Sequence, residues 1–206
     1  MIKAVLFDID GVLIDSVRAN YEFYKHIFGK FFNTIITLGE YKKLHHLSIK
    51  EQALRIRTDL SESQVRSIEN YGEQNYKRFY KYVKLNPYVK ELLETLSKNY
   101  KLGVVTSRVD TSVLNHFKIT HYFTHKITIK DVKNHKPHPE SLLLAAKRFG
   151  VKPSKAIYIG DSEIDTLAAK RAGMLSIIYK NKDVKGDFNI DDLMDIVSIL
   201  GKLTKQ

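Results

Sequence analysis

A chain of 206 residues, 43% hydrophobic and 28% charged, makes one ordinary domain or one domain carrying an insertion, with enough apolar material for a real core. The absence of cysteine excludes disulfides, thiolate metal sites and a cysteine nucleophile, and no uncharged apolar run is long enough to span a membrane. The formal net charge of +11 raises nucleic acid as a partner, but the lysines are scattered among Glu and Asp with no zinc-finger spacing, aromatic RNA-binding motif or long basic run, so a solvated basic surface that attracts small anions is expected.

Residues 2–7 are short and apolar, as a strand inside a parallel sheet reads. The chain enters this strand with no signal-peptide layout, and a cytoplasmic protein is expected. Asp8 and Asp10 follow two apart, so in extended geometry both lean into one crevice, and Gly11 lets the chain turn away. Two carboxylates in one small crevice need a cation or a proton between them. Alone they fit either a nucleophile and an acid sharing a metal, or helix-capping aspartates at a solvated corner.

From about residue 17 to 85 the periodicity is helical. Val17, Tyr21, Tyr24 and Phe28 form a stripe on a first helix that Ser16 caps and Gly29 interrupts. Helices over 37–43, 49–57 and 61–82 follow, the last opened by a capping box at Ser61-Glu62-Ser63-Gln64. Asn86-Pro87 closes the block. Beyond it come a helix over 88–99 and a strand over 102–105 that ends in Thr106-Ser107-Arg108. A helix over 111–117 and a strand over 126–129 lead to the loop His135-Lys136-Pro137-His138-Pro139-Glu140 and a helix over 141–149. The strand over 156–159 runs into Gly160-Asp161-Ser162-Glu163-Ile164-Asp165, a helix over 166–172 closes on Gly173, and a strand over 175–179 and a helix over 191–200 complete the chain.

Five strands alternating with helices predict an α/β fold, a Rossmann-like parallel five-stranded sheet core with an inserted helical cap domain. The core takes residues 1–15 and 86–206, the cap 16–85, and linkers at 14–16 and 86–87 would let the cap act as a hinged lid.

Sheets of this kind carry their chemistry at the carboxyl ends of the strands. Asp8, Asp10, Thr106, Ser107, Lys136, Asp161 and Asp165 all fall there. Each has a plainer explanation, helix capping for the Thr, Ser and Asp residues and surface charge for Lys136. Their joint placement at successive strand ends points instead to a hard cation and a phosphoryl group. Mg²⁺ takes a few oxygen ligands, keeps several waters and bridges to substrate phosphate. Asp8 would then attack phosphorus, Asp10 would hand a proton to the leaving oxygen, and Mg²⁺ with Lys136 would neutralise the transferring group. The Thr106 hydroxyl and the Ser107 amide would donate to phosphate oxygens.

The chain resembles the haloacid dehalogenase-like hydrolases, most closely the phosphoglycolate phosphatase-like branch with a helical cap after the first motif. Asp8-Ile9-Asp10-Gly11-Val12-Leu13-Ile14-Asp15-Ser16 is similar to the first motif, Val104-Val105-Thr106-Ser107 to the second and Lys136-Pro137-His138-Pro139-Glu140 to the third. Tyr158-Ile159-Gly160-Asp161-Ser162-Glu163-Ile164-Asp165, followed by Ala168-Ala169-Lys170-Arg171-Ala172-Gly173, is similar to the fourth. The resemblance implies a phosphatase acting on a small phosphomonoester, phosphoglycolate-like or a sugar phosphate. Asp8 would be phosphorylated, Asp10 would be the acid/base, and Mg²⁺ would be held by Asp8, the Asp10 carbonyl and Asp161. Asp165 would orient the water shell of the metal. The partner expected is a small phosphorylated metabolite, met by a monomer or homodimer, with neither a membrane nor a nucleic-acid role.

The chain departs from the family pattern at Val12, at His135 before Lys136, at Tyr88 after Pro87, and in the 44–49 segment, which lacks the usual glycine. Val12 occurs in related phosphosugar mutases, so a mutase is the nearest alternative activity. A basic nucleic-acid-binding module on a degenerate phosphatase fold is the alternative of another class. In the cap, His45 and His46 are candidate substrate contacts, of which adjacency turns one to solvent. Arg55 and Arg57 read more simply as surface charges.

Overall fold

β-Branched and aliphatic runs too short for buried helices build the sheet. The computed structural model describes residues 1–44 and 47–204, and the chain divides into two compact units, Met1–Asp15 with Leu85–Gln206 and Ser16–Lys84. Along the chain, β1 (Ala4–Phe7) and the two-residue β2 (Ile14–Asp15) precede α1 (Val17–Phe32), α2 (Leu38–Leu44), α3 (Ile49–Ile56), α4 (Glu62–Asn75) and a 3₁₀ segment (Tyr76–Tyr82). After β3 (Lys84–Leu85) come α5 (Val89–Ser97), β4 (Lys101–Val105), α6 (Ser112–His116), β5 (His125–Ile127) and α7 (Glu140–Phe149). The chain ends with β6 (Ala156–Gly160), α8 (Glu163–Ala172), β7 (Leu175–Tyr179), β8 (Phe188–Ile190) and α9 (Asp195–Thr204).

In the first unit six strands pair in the order β5-β4-β1-β6-β7-β8, every pair parallel. This is the doubly wound order in which the chain reverses direction across the sheet between β1 and β6. Ala4 to Phe7 are wholly buried, and alternate residues face opposite layers. Ala4 and Leu6 pack with Leu142, Ala145, Ala146 and Phe149 of α7 and with Ala168, Ala169 and Ala172 of α8. Gly103 brings α7 close to the sheet, because a Cβ there would stand 2.6 Å from the Phe149 ring.

The sheet has six strands where five were expected. β8 has no apolar run to mark it, being three residues long with Asn189 exposed at its centre. α9 starts four residues later than expected, because the Asp192 carboxylate accepts from the Met194 amide and holds 192–194 as a turn.

The second unit is helical, built round Phe23, Ile27, Phe28, Tyr41, Ala53 and Ile68 with many aromatic neighbours. Gly29 does not interrupt α1, which continues to Phe32 and ends where Asn33 adopts a left-handed conformation. Ser16 stands at the N-cap position, but its hydroxyl makes no capping bond and accepts instead from Asn20 Nδ2 at 3.2 Å. Ser61 and Gln64 form the expected capping box, and Ser48 with Glu51 forms another. The expected helix over 61–82 tightens into the 3₁₀ segment after Asn75. His45 and His46 lie outside the described residues. Among the described residues no helix is long and apolar enough to cross a membrane.

Candidate active site

The registers of β1, β4 and β6 set the stage. Phe7 is level with Val104 and with Ile159, so Asp8, Val105 and Gly160 end three neighbouring strands at one height. Asp8 follows β1 and Asp161 follows β6, one on each side of the reversal in strand order, where open α/β sheets form their ligand crevice. Lys136 arrives from the connection between β5 and β6, the crossover that carries the chain from one half of the sheet to the other.

Lys136 is almost completely enclosed, its side chain 3% exposed. Its Nζ lies 2.7 Å from Asp8 Oδ2, 2.7 Å from Asp165 Oδ1 and 2.8 Å from the Tyr158 hydroxyl. An ammonium has three protons, and these three oxygens take them all. Burial works against the charge on Lys136, but Asp8, Tyr158 and Asp165 outweigh it and hold the group well above its usual range. The Tyr158 hydroxyl lies 2.9 Å from the Val105 carbonyl and 3.2 Å from Asp165 Oδ1, and burial pushes its pKa well up.

Asp165 is spent on the protein itself. Its Oδ1 meets Lys136 and Tyr158, while its Oδ2 accepts from the Ser162 hydroxyl, the Ser162 amide at 3.2 Å and the Asp161 amide at 3.3 Å. Burial would raise its pKa, but the Lys136 ammonium and these donors hold it below the ordinary carboxylate range. Gly160 makes room for this packing, since a Cβ there would lie 2.4 Å from the Asp165 Cβ.

Asp8 and Asp161 are less well compensated. Burial raises Asp8 to about 6 against the pull of Lys136, and the neighbouring Asp165 and Asp10 add to the rise. Asp161 is pushed up to about 7, by burial first and then by Asp8 and Asp165. Among the described residues no hydrogen-bond donor reaches the Asp161 carboxylate. Its backbone carbonyl accepts from Asn181 Nδ2 at 2.7 Å, which fixes the loop after β6. Carboxylate oxygens of Asp8, Asp161 and Asp165 lie within 4.8 Å of one another.

Gly11 is indispensable to this cluster. Its φ of +76° is left-handed, and a Cβ would stand 1.8 Å from Asp161 Oδ2, so the backbone after β1 comes up against the carboxylate from β6. Asn86 pins the turn, its Nδ2 donating to the Gly11 and Val12 carbonyls at 3.1 and 2.8 Å.

Asp10 reaches the same end of the sheet and is met by Arg108, whose Nη1 donates to both of its oxygens at 2.8 and 3.0 Å. Thr106 is buried with its hydroxyl accepting from the Arg108 amide at 3.3 Å, and Ser107 is exposed beside it. Of the residues singled out in the sequence, Asp8, Lys136, Asp161 and Asp165 therefore form one connected cluster, and Asp10, Thr106 and Ser107 stand in the adjoining loops. Arg108, Tyr158 and Asn86 join the site without having been marked by the sequence. Arg108 was one basic residue among 34, Tyr158 lay inside an apolar strand run, and Asn86 read as a domain boundary.

Four carboxylates, Asp8, Asp10, Asp161 and Asp165, face two cations, Lys136 and Arg108, in this region. The surplus of two negative charges and the oxygen-only donor set suit one hard divalent ion.

A doubly wound sheet with this acidic cluster at its strand reversal is the framework of a hydrolase family, and the sequence belongs to it. The family model for haloacid dehalogenase-like hydrolases matches residues 5–179, and the protein is an enzyme of that family. It is 30% identical to pyrophosphatase PpaX of Bacillus cereus, with 99% of each chain covered. Among solved structures it is similar to a subfamily IA, variant 1 hydrolase of Geobacter sulfurreducens, at 31% identity, TM-score 0.79 and 97% of each chain covered. It is also similar to β-phosphoglucomutase of Clostridium difficile, at 25% identity, TM-score 0.84 and full coverage of both chains.

Proposed function

We propose that the protein is a Mg²⁺-dependent phosphatase that removes a phosphoryl group from a small phosphorylated metabolite, a phosphomonoester or pyrophosphate, by way of Asp8. The observation that carries the reading is the buried cluster of Asp8, Asp161 and Asp165 with the Lys136 ammonium against it. The name of the Bacillus cereus relative supports the substrate class.

An Asp8 oxygen forms a bond to phosphorus as the bond from phosphorus to the leaving oxygen breaks. The leaving oxygen keeps the electron pair and takes a proton from Asp10. Water then attacks the same phosphorus, gives its proton back to Asp10 and releases Asp8 with inorganic phosphate. Lys136 fixes Asp8 Oδ2 and places positive charge beside the transferring group. Thr106 and the Ser107 amide supply donors to the phosphoryl oxygens. Mg²⁺, held by Asp8, Asp161 and the Asp10 carbonyl, would offset the charge of the phosphoryl group. Asp165 serves by holding Lys136 and the loop of Asp161 and Ser162, since its oxygens are already engaged. The helical unit, residues 16–84, acts as the cap that selects the substrate.

The test is phosphate release from pyrophosphate and small phosphomonoesters with Mg²⁺ present or chelated. Release is expected only with the metal, and Asp8→Asn is expected to lower it at least ~10³-fold while the protein stays folded. Turnover that survives chelation or the Asp8 variant would overturn the reading. The likeness to β-phosphoglucomutase, together with Val12, favours a second reading as a phosphosugar mutase. In that case an isomeric sugar phosphate accumulates in place of phosphate.

A further inference from the structure

Arg108 roots beside the residues assigned to the phosphoryl group and reaches the residue assigned to proton transfer. Its amide donates to the Thr106 hydroxyl at 3.3 Å, and its guanidinium Nη1 donates to Asp10 Oδ1 at 2.8 Å and Oδ2 at 3.0 Å. The arginine side chain is 13% exposed and that of Asp10 34%, so the pair is partly withdrawn from water and stronger than a surface ion pair. With one nitrogen donating to both carboxyl oxygens, the guanidinium holds Asp10 towards the loop after β4.

We propose that Arg108 is a charge-reading latch. It holds Asp10 in the substrate-free enzyme, and a second anionic group on the leaving side of the substrate draws the guanidinium away and frees Asp10 to move its proton. The proposal rests on the reading of Asp10 as the acid/base. A guanidinium exchanges one carboxylate for another anion at little cost, and a phosphate dianion offers a matching pair of oxygens. A substrate whose leaving group carries no anion must break the Arg108–Asp10 pair with nothing in exchange. The enzyme therefore prefers diphosphates and phosphorylated carboxylates over neutral phosphate esters, and Arg108 is the positioning residue that sets the preference.

The experiment compares pyrophosphate with phenyl phosphate, with Mg²⁺ present, in the wild type, Arg108→Ala and Arg108→Lys. In the wild type, kcat/KM for pyrophosphate is expected to exceed that for phenyl phosphate at least 100-fold. Arg108→Ala is expected to lower kcat/KM for pyrophosphate at least 30-fold, with a rise in KM, and to raise that for phenyl phosphate, which no longer has a pair to break. Arg108→Lys is expected to restore part of the pyrophosphate rate, which a merely structural arginine would not explain. A loss on phenyl phosphate in Arg108→Ala, or no loss on pyrophosphate, overturns the latch and leaves the phosphatase reading standing. A wild type that releases phosphate from neither substrate overturns both.

Discussion

Lys136 has no proton to spare. Its ammonium is committed to Asp8, Asp165 and Tyr158, so it acts as a fixed countercharge and not as a mobile contact. Lys136→Ala would leave two buried carboxylates facing each other without a cation, and breaking a buried pair in this way costs about 3–5 kcal/mol. Chemical denaturation should report that loss, and an unchanged midpoint would show that Asp8 and Asp165 find another partner. Tyr158→Phe removes one acceptor from Lys136 and one donor from Val105, and should cost about 1–3 kcal/mol by the same measurement. These residues differ in how well the sequence showed them. Asp8, Lys136 and Asp161 were visible because chemistry-bearing residues followed strand-like runs. Tyr158 was hidden because its ring satisfies the apolar pattern of β6, and only the position of its hydroxyl, set among β4, the Lys136 loop and α8, reveals the second role.

Single backbone conformations decide how elements start and stop. Tyr88, before α5, has φ +62° and is 56% exposed, so a bulky residue holds a left-handed position and gains little packing in return. The conformation costs a non-glycine residue about 1–2 kcal/mol, while glycine adds about 0.5–1 kcal/mol of chain entropy to lose. Tyr88→Gly is therefore expected to stabilise the protein by about 0.5–1 kcal/mol in thermal melts, and a destabilised variant would mean that the exposed ring makes contacts of value. Elements whose ends were marked by such residues were legible, as where Gly173 closes α8. Gly29 misled because a glycine in a helix interior costs only about 1 kcal/mol, which the packing of Phe23, Ile27 and Phe28 overrides.

For the molecule as a whole, the two carboxylates whose pKa burial raises tie stability to pH. Asp8 at about 6 and Asp161 at about 7 sit above their ordinary values, so the folded state binds protons more tightly than the unfolded chain. Their contribution is present below about pH 4 and is lost as the pH rises through 6 and 7. The metal-free protein is therefore expected to melt at a lower temperature at pH 7.5 than at pH 5.5, and Mg²⁺ to raise the melting temperature more at pH 7.5. A metal-free melting temperature that rises over this range, with no larger Mg²⁺ effect at the upper end, would contradict the charge surplus. At this scale the sequence was readable in its alternation of strands and helices and in the long helical stretch inserted after β1. The sixth strand was not, because an edge position asks for little apolar character.

The turn after β1 also suggests how a relative of this enzyme would lose its trade. The space a methyl group would fill at position 11 is already taken by the Asp161 carboxylate. If Asp161 holds the ion, then Gly11→Ala is expected to displace that carboxylate and weaken ion binding. A homologous gene that keeps every acidic residue but has a side chain at this one place is expected to encode a protein with impaired catalysis. Among otherwise intact copies, the first character to inspect for retirement is the glycine.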